Sequence, residues 1–210
     1  MIRPLRMVGL DLSTAATGVA STHDPYGVPF LSTFTVPDTA KRPLHEQIAV
    51  IKRAVRMVCG VSRTRTDPDT PDTPDLVVIE GTFSRDGAHA SDYPLHAVHA
   101  TVKQLLWEKH IPYVDVSNSA LKVWATGSGA TRGVNKATKD KIVSAVIAAY
   151  GSHMHINPRD DNQADAVALL TLGLAKYGQP LAPYGKLNAA AFKSPKWPDL
   201  RAAITQEARS

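Results

Sequence analysis

The chain has 210 residues, enough for one ordinary domain, and 43% of them are hydrophobic against 20% charged, a globular balance. Its 24 Lys and Arg against 19 Asp and Glu leave +5, a mild excess that permits a polyanionic partner without establishing one. A single cysteine, Cys59, excludes an internal disulfide framework and a cysteine zinc ribbon. No apolar run approaches the ~18 residues of a membrane span, and the basic opening MIRPLRMVGLDLS is broken by Asp11, which makes it a poor signal peptide. A soluble, intracellular protein is the expectation.

Three strands are expected in series over residues 6–13, 17–22 and 28–36, separated by Gly and Pro at Gly18, Pro25, Gly27 and Pro29, most simply as an antiparallel meander. Ile48, Ile51, Val55 and Val58 form one stripe of a helix over 43–60. The Pro-rich acidic repeat DPDTPDTPD at 67–75 is a loop, and LVVIE at 76–80 then reads as a buried strand. Leu95, Val98, Val102 and Leu105 predict a helix over 93–109, and YVDV at 113–116 a fifth strand. Residues 117–135, with Gly127, Gly129 and Gly133, read mostly as loop. Helices follow over 136–150 and 161–176. The remainder, with Pro180, Pro183, Pro195 and Pro198, reads as a C-terminal tail that packs on the domain or serves as an arm. The order points to an α/β domain over 1–176: a mixed five-stranded sheet, three strands in a meander and then alternating helix and strand, with helices on both faces.

Four acids stand where chemistry is feasible. Asp11 ends the first strand and Glu80 the fourth, while Asp161 and Asp165 share a face of the last helix at i and i+4. Asp160 and Asp161 also suit the positive end of a helix dipole. Asp165 is set among Ala164, Ala166, Val167 and Ala168, and a carboxylate in such surroundings needs a partner. If the first and fourth strands are neighbours, Asp11 and Glu80 project from one edge of the sheet, where carboxylates repel unless cations lie between them. Oxygen-only ligands suit hard ions such as Mg2+, and two such ions support phosphodiester cleavage. His96 and His99, three apart on a helix, lack a third ligand and are assigned to a surface or interface. Trp107 and Trp124 are assigned to packing.

Several segments resemble RuvC-type Holliday-junction resolvases, members of the RNase H-like (retroviral integrase) superfamily. GLDLSTAATGVA at 9–20 is similar to that family's first strand and turn, with Thr17-Gly18 as its Thr-Gly pair. IEGTF at 79–83 is similar to its Glu followed three residues later by Phe. LKVWATGSGATRGVNKATKDKIVSAV resembles its Lys, Gly-x-Gly, Lys and helix segment, and DDNQADAVALL its last helix. The matches run in order from residue 7 to about 175.

By position, the resemblance implies that Asp11, Glu80 and Asp165 bind metal, with Asp161 preferred over Asn162 as the fourth ligand. It implies Mg2+ as cofactor, Mn2+ as a substitute, and Lys139 beside the scissile phosphate. Lys122, Arg132 and Lys136 fall in its DNA-binding region, and Phe83 matches an aromatic that stacks on a base, a contact of ~1–3 kcal/mol. The implied activity is two-metal hydrolysis nicking branched DNA, by a twofold homodimer because a four-way junction needs two symmetric nicks. A bacterial or phage-infected cytoplasm is the implied setting, and a phage or actinobacterial variant the implied type. The alternatives are a superfamily nuclease of forks, flaps or hybrids, an actin-like ATP phosphotransferase (whose second domain 210 residues leave no room for), and a junction-binding protein that does not cut. The charge distribution accords with a DNA cutter. In 117–141 Lys122, Arg132, Lys136, Lys139 and Lys141 oppose Asp140 alone, and from 177 five basic residues oppose Asp199 and Glu207, so the rest is acidic.

Overall fold

The computed structural model describes residues 3–22, 29–60, 73–82, 92–128 and 137–200. Five strands, β1 (Met7–Asp11), β2 (Ala16–Ser21), β3 (Phe30–Thr35), β4 (Leu76–Glu80) and β5 (Tyr113–Val116), form one sheet in the order β3-β2-β1-β4-β5. The first three pair antiparallel, and β1, β4 and β5 run parallel. This is the mixed sheet expected from the element order. The turn between β1 and β2 is held by Thr17, whose hydroxyl donates to the Ser13 carbonyl at 3.3 Å. The parallel pairs need helical crossovers.

Helices α1 (Leu44–Val58) and α2 (Tyr93–Glu108) cover one face, packing Ile51, Val55, Val98, Val102, Leu105 and Leu106 on Val8, Leu10, Val77 and Ile79. Helices α3 (Asn118–Thr126), α4 (Lys139–Tyr150) and α5 (Asp161–Lys176) cover the other. Helix α5 is enclosed: every residue from Ala166 to Ala175 is buried, as an apolar-all-round helix requires. Its one buried polar side chain, Thr171, accepts from Trp124 Nε1 at 3.0 Å and donates to the Val167 carbonyl at 2.8 Å.

Two glycines set how close α5 lies to the sheet. A Cβ on Gly9 of β1 would stand 2.2 Å from the Ala166 carbonyl oxygen, and one on Gly18 of β2 would stand 2.0 Å from the Asn162 carbonyl oxygen. Both obstacles are helix backbone, which cannot swing aside.

Three expectations need correction. Of the loop expected over 117–135, residues 129–135 lie outside the described residues, and Asn118–Thr126 are helix α3. Ser117 caps it by accepting from the Ala120 amide at 3.0 Å, left-handed Gly127 (φ 71°) ends it, and Ala120, Leu121 and Trp124 bury one side. His99 is not a surface group but is only 4% exposed. Trp107 is not a packing residue but is 72% exposed, whereas Trp124 lies in the core at 3%.

Residues 177–200 return across α3. Asn188 Nδ2 donates to the Trp124 carbonyl at 2.6 Å, and Tyr184 and Phe192 set their rings 5.1 and 5.6 Å from that of Trp124. Tyr177 Oη donates to the Pro198 carbonyl at 2.6 Å, and Ala191 and Leu200 are buried in the core. A short helix α6 (Lys186–Ala189) and a 3-10 turn (Ala190–Lys193) lie within this segment.

Gly9→Ala and Gly18→Ala each force α5 off the sheet. Each is expected to cost at least about 3 kcal/mol and to lower the thermal midpoint by roughly 6–12 °C in a chain of this size. Differential scanning calorimetry checks both.

Candidate metal centre

The register makes the site. Parallel β1 and β4 place Leu10 opposite Ile79, so the next residues along, Asp11 and Glu80, leave the sheet side by side at one edge. Strand alternation decides their direction. Met7 and Gly9 on β1, and Leu76 and Val78 on β4, face the α5 side; Asp11 and Glu80 continue those rows. Helix α5, drawn onto the sheet at Gly9 and Gly18, brings Asp165 against them. One carboxylate oxygen from each of Asp11, Glu80 and Asp165 lies within 4.8 Å of the other two.

Three carboxylates at that spacing, half buried, repel one another. Asp11 is pushed up to about 9, first by burial and then by the charges of Glu80 and Asp165. Asp165 is pushed up to about 7, by burial and then by Glu80 and Asp161, while Lys139 and Lys122 pull it down. A hard divalent cation fits this donor set: all ligands are oxygens, and the charge it carries is the charge the cluster lacks.

Asp161 stands outside the trio. Its Oδ2 accepts from Lys139 Nζ, an ion pair that holds Asp161 below the ordinary carboxylate value and Lys139 above the ordinary ammonium value. Asn162, the other candidate for a fourth ligand, turns its carbonyl and Cβ to Gly18. Asp160 caps α5: its Oδ1 accepts from the Gln163 amide at 3.2 Å and its Oδ2 from Thr33 Oγ1 at 2.6 Å. Lys122 is on α3, one turn beyond Asn118, where its charge reaches Asp165. Phe83, Arg132 and Lys136 lie outside the described residues.

A cleft of about 470 Å³ opens beside the acids, lined by Asp11, Ser13, Thr14, Glu80, Thr82 and Asn118, with Leu95 and His99 of α2 behind them. His99 is held down at about 4, first by burial and then by the neighbouring charge of Lys103, so it is a neutral ring in this wall. Asn118 is the residue that sequence reasoning missed. Its Nδ2 donates to Glu80 Oε1 at 2.5 Å. The signal for it was the Ser117 cap and the Gly127 stop, which together place Asn118 at the first turn of a helix aimed at the sheet edge.

The architecture is an α/β fold of the RNase H-like type, in its RuvC-like form. Thermus thermophilus RuvC is similar to this chain at a TM-score of 0.57 and 19% identity, over 83% of this chain and 98% of that one. T. thermophilus RuvC in complex with Holliday junction substrate is similar at a TM-score of 0.56 and 16% identity, over 84% and 98%. No protein-family model and no curated protein matches the chain.

The pH dependence of stability follows from the raised acids. Unfolded, Asp11 and Asp165 titrate near 3.8; folded, near 9 and 7, so between these values the native state holds the extra protons and stability falls as pH rises. His99 slopes the other way only below its unfolded value of 6.5. From pH 6.5 to 9 the metal-free protein therefore loses stability, on the order of 1 kcal/mol per pH unit. Thermal melts in EDTA across that range check the slope, and added Mg2+ is expected to flatten it.

Proposed function

We propose that this protein is a metal-dependent, structure-specific endonuclease that nicks four-way or other branched DNA. One observation carries the reading: Asp11, Glu80 and Asp165 converge at one edge of a RuvC-like sheet. A fold neighbour bound to a Holliday junction substrate supports the choice of DNA.

In this reading Asp11, Glu80 and Asp165 hold Mg2+, or Mn2+ in its place. The bound ions supply Lewis acidity and a water of lowered pKa. Asp161 would be the fourth ligand, and Lys139, which is paired with it, would then serve a phosphate oxygen of the DNA. Thr82, Ser13 and Thr14 line the adjoining cleft with hydroxyls that donate to the sugar-phosphate chain. Lys122, Arg132 and Lys136 neutralise phosphates further along, and Phe83 stacks on an unpaired base at the branch.

Two nicks related by symmetry call for a homodimer. Helix α2 supports one: Tyr93 and Trp107, 68% and 72% exposed, are fourteen residues apart and so lie within about 40° of each other around the helix. No helix among the described residues is long and apolar enough to cross a membrane. A bacterial or phage-infected cytoplasm is the proposed location.

The test is cleavage of a labelled four-way junction, a fork, an RNA–DNA hybrid and a linear duplex, each with Mg2+ or EDTA. The junction is expected to be cut fastest, and only with metal. Asp11→Asn is expected to cut it at least about 100-fold more slowly, about 2.7 kcal/mol in the barrier. A folded Asp11→Asn protein cleaving at the wild-type rate rejects the assignment. In binding titrations, Lys122→Ala is expected to lower the slope of log affinity against log salt by roughly 1.

A further inference from the structure

Asn118 is exposed, lies at the first position of α3 and makes one side-chain hydrogen bond across to the acidic cluster, Nδ2 to Glu80 Oε1 at 2.5 Å. The donor is neutral. A Lys or Arg here would neutralise Glu80 and compete with a cation; an amide orients the carboxylate and leaves its charge in place. Asn118 holds Oε1, which fixes the Glu80 carboxylate beside Asp11.

The helix that carries Asn118 is itself fixed. Ser117 Oγ accepts from the Ala120 amide at 3.0 Å and lies 3.4 Å from Ser194 Oγ of the returning C-terminal segment. At the far end, Trp124 is tied to α5 through Thr171 and to Asn188 through its carbonyl. An amide on a helix clamped at both ends is a rigid support for a ligand side chain.

We propose that Asn118 is a positioning residue that keeps Glu80 a one-oxygen ligand and so selects small octahedral cations over Ca2+. The inference rests on the reading of Asp11, Glu80 and Asp165 as a metal centre. Mg2+ demands near-ideal octahedral geometry with short bonds, whereas Ca2+ accepts six to eight oxygens and takes two from one carboxylate readily. A Glu80 free to rotate offers both oxygens and suits the larger ion.

The experiment is calorimetric titration of wild type, Asn118→Ala and Asn118→Gln with Mn2+ and with Ca2+, beside thermal melts in EDTA. Because Asn118 is exposed, Asn118→Ala opens no core cavity and is expected to fold with a melting midpoint close to wild type. Its Mn2+ affinity is expected to fall about 10-fold, the low end for loss of a group supporting a metal ligand. Its Ca2+ affinity is expected to hold or rise, so that the ratio of the two dissociation constants shifts by about the same factor. Recovery of part of that ratio by Asn118→Gln, which keeps the donor, supports the role. An unchanged ratio in Asn118→Ala, with wild-type protein binding Mn2+, overturns the inference and leaves the metal centre standing. Failure of wild-type protein to bind either ion overturns both.

Discussion

The close seat of α5 on β1 and β2 is the contact on which the site depends. Gly9 and Gly18 give the helix backbone direct access to the strand backbones, and no other side chain fits between them. That approach buries α5 all round and supplies a large share of the core on its face of the sheet. It also sets where the first turn of α5 ends up. Asp165 meets Asp11 and Glu80 only because the helix lies a side chain's depth lower than an Ala or Val at position 9 or 18 would allow. Packing and chemistry here have one cause.

The cost of the arrangement is electrostatic. Asp11 and Asp165 are buried beside Glu80, and their raised proton affinities measure how unfavourable the full set of negative charges is. The fold sustains this because the acids sit at the sheet edge, outside the apolar layers, while Met7, Val78, Leu169 and Leu170 fill the space behind them. Lys139 relieves part of the strain by taking Asp161. Asn118 orients Glu80 without discharging it. The centre is thus poised for a cation, with Asp161 Oδ2 held by Lys139 and Glu80 Oε1 by Asn118.

Much of this was legible from residue order. Three strands before any helix, then LVVIE and YVDV between helices, give the mixed sheet, because short turns force antiparallel pairing and helical crossovers force parallel pairing. Asp11 and Glu80 at strand ends, and Asp165 among alanines, stood out as carboxylates in apolar company. What escaped was information that only packing supplies. Helix α3 was hidden because three glycines nearby read as loop, although Ser117 and Gly127 bracket nine helical residues. His99 and Trp107 were exchanged in expectation because a stripe tells which residues share a face but not which face meets the sheet: α2 buries His99 beside Val98 and turns Trp107 outward. The pairing of Lys139 with Asp161 spans 22 residues and two helices, and no spacing rule reaches it.

The return of residues 177–200 across α3 has a consequence for the order in which the protein becomes competent. Ser194 lies against the cap of α3, Asn188 holds its last turn, and Gln179 clasps the N-terminal segment, accepting from the Leu5 amide at 2.8 Å and donating to the Arg3 carbonyl at 2.9 Å. During synthesis β1 precedes the residues of 177–200 that make these contacts. The acidic cluster is drawn from β1, β4 and α5, and the helix that carries Asn118 is braced by a segment that follows α5 in the chain. The strand carboxylates of Asp11 and Glu80 thus depend on two later parts of the chain, α5 to bring up Asp165 and residues 177–200 to brace the helix that carries Asn118.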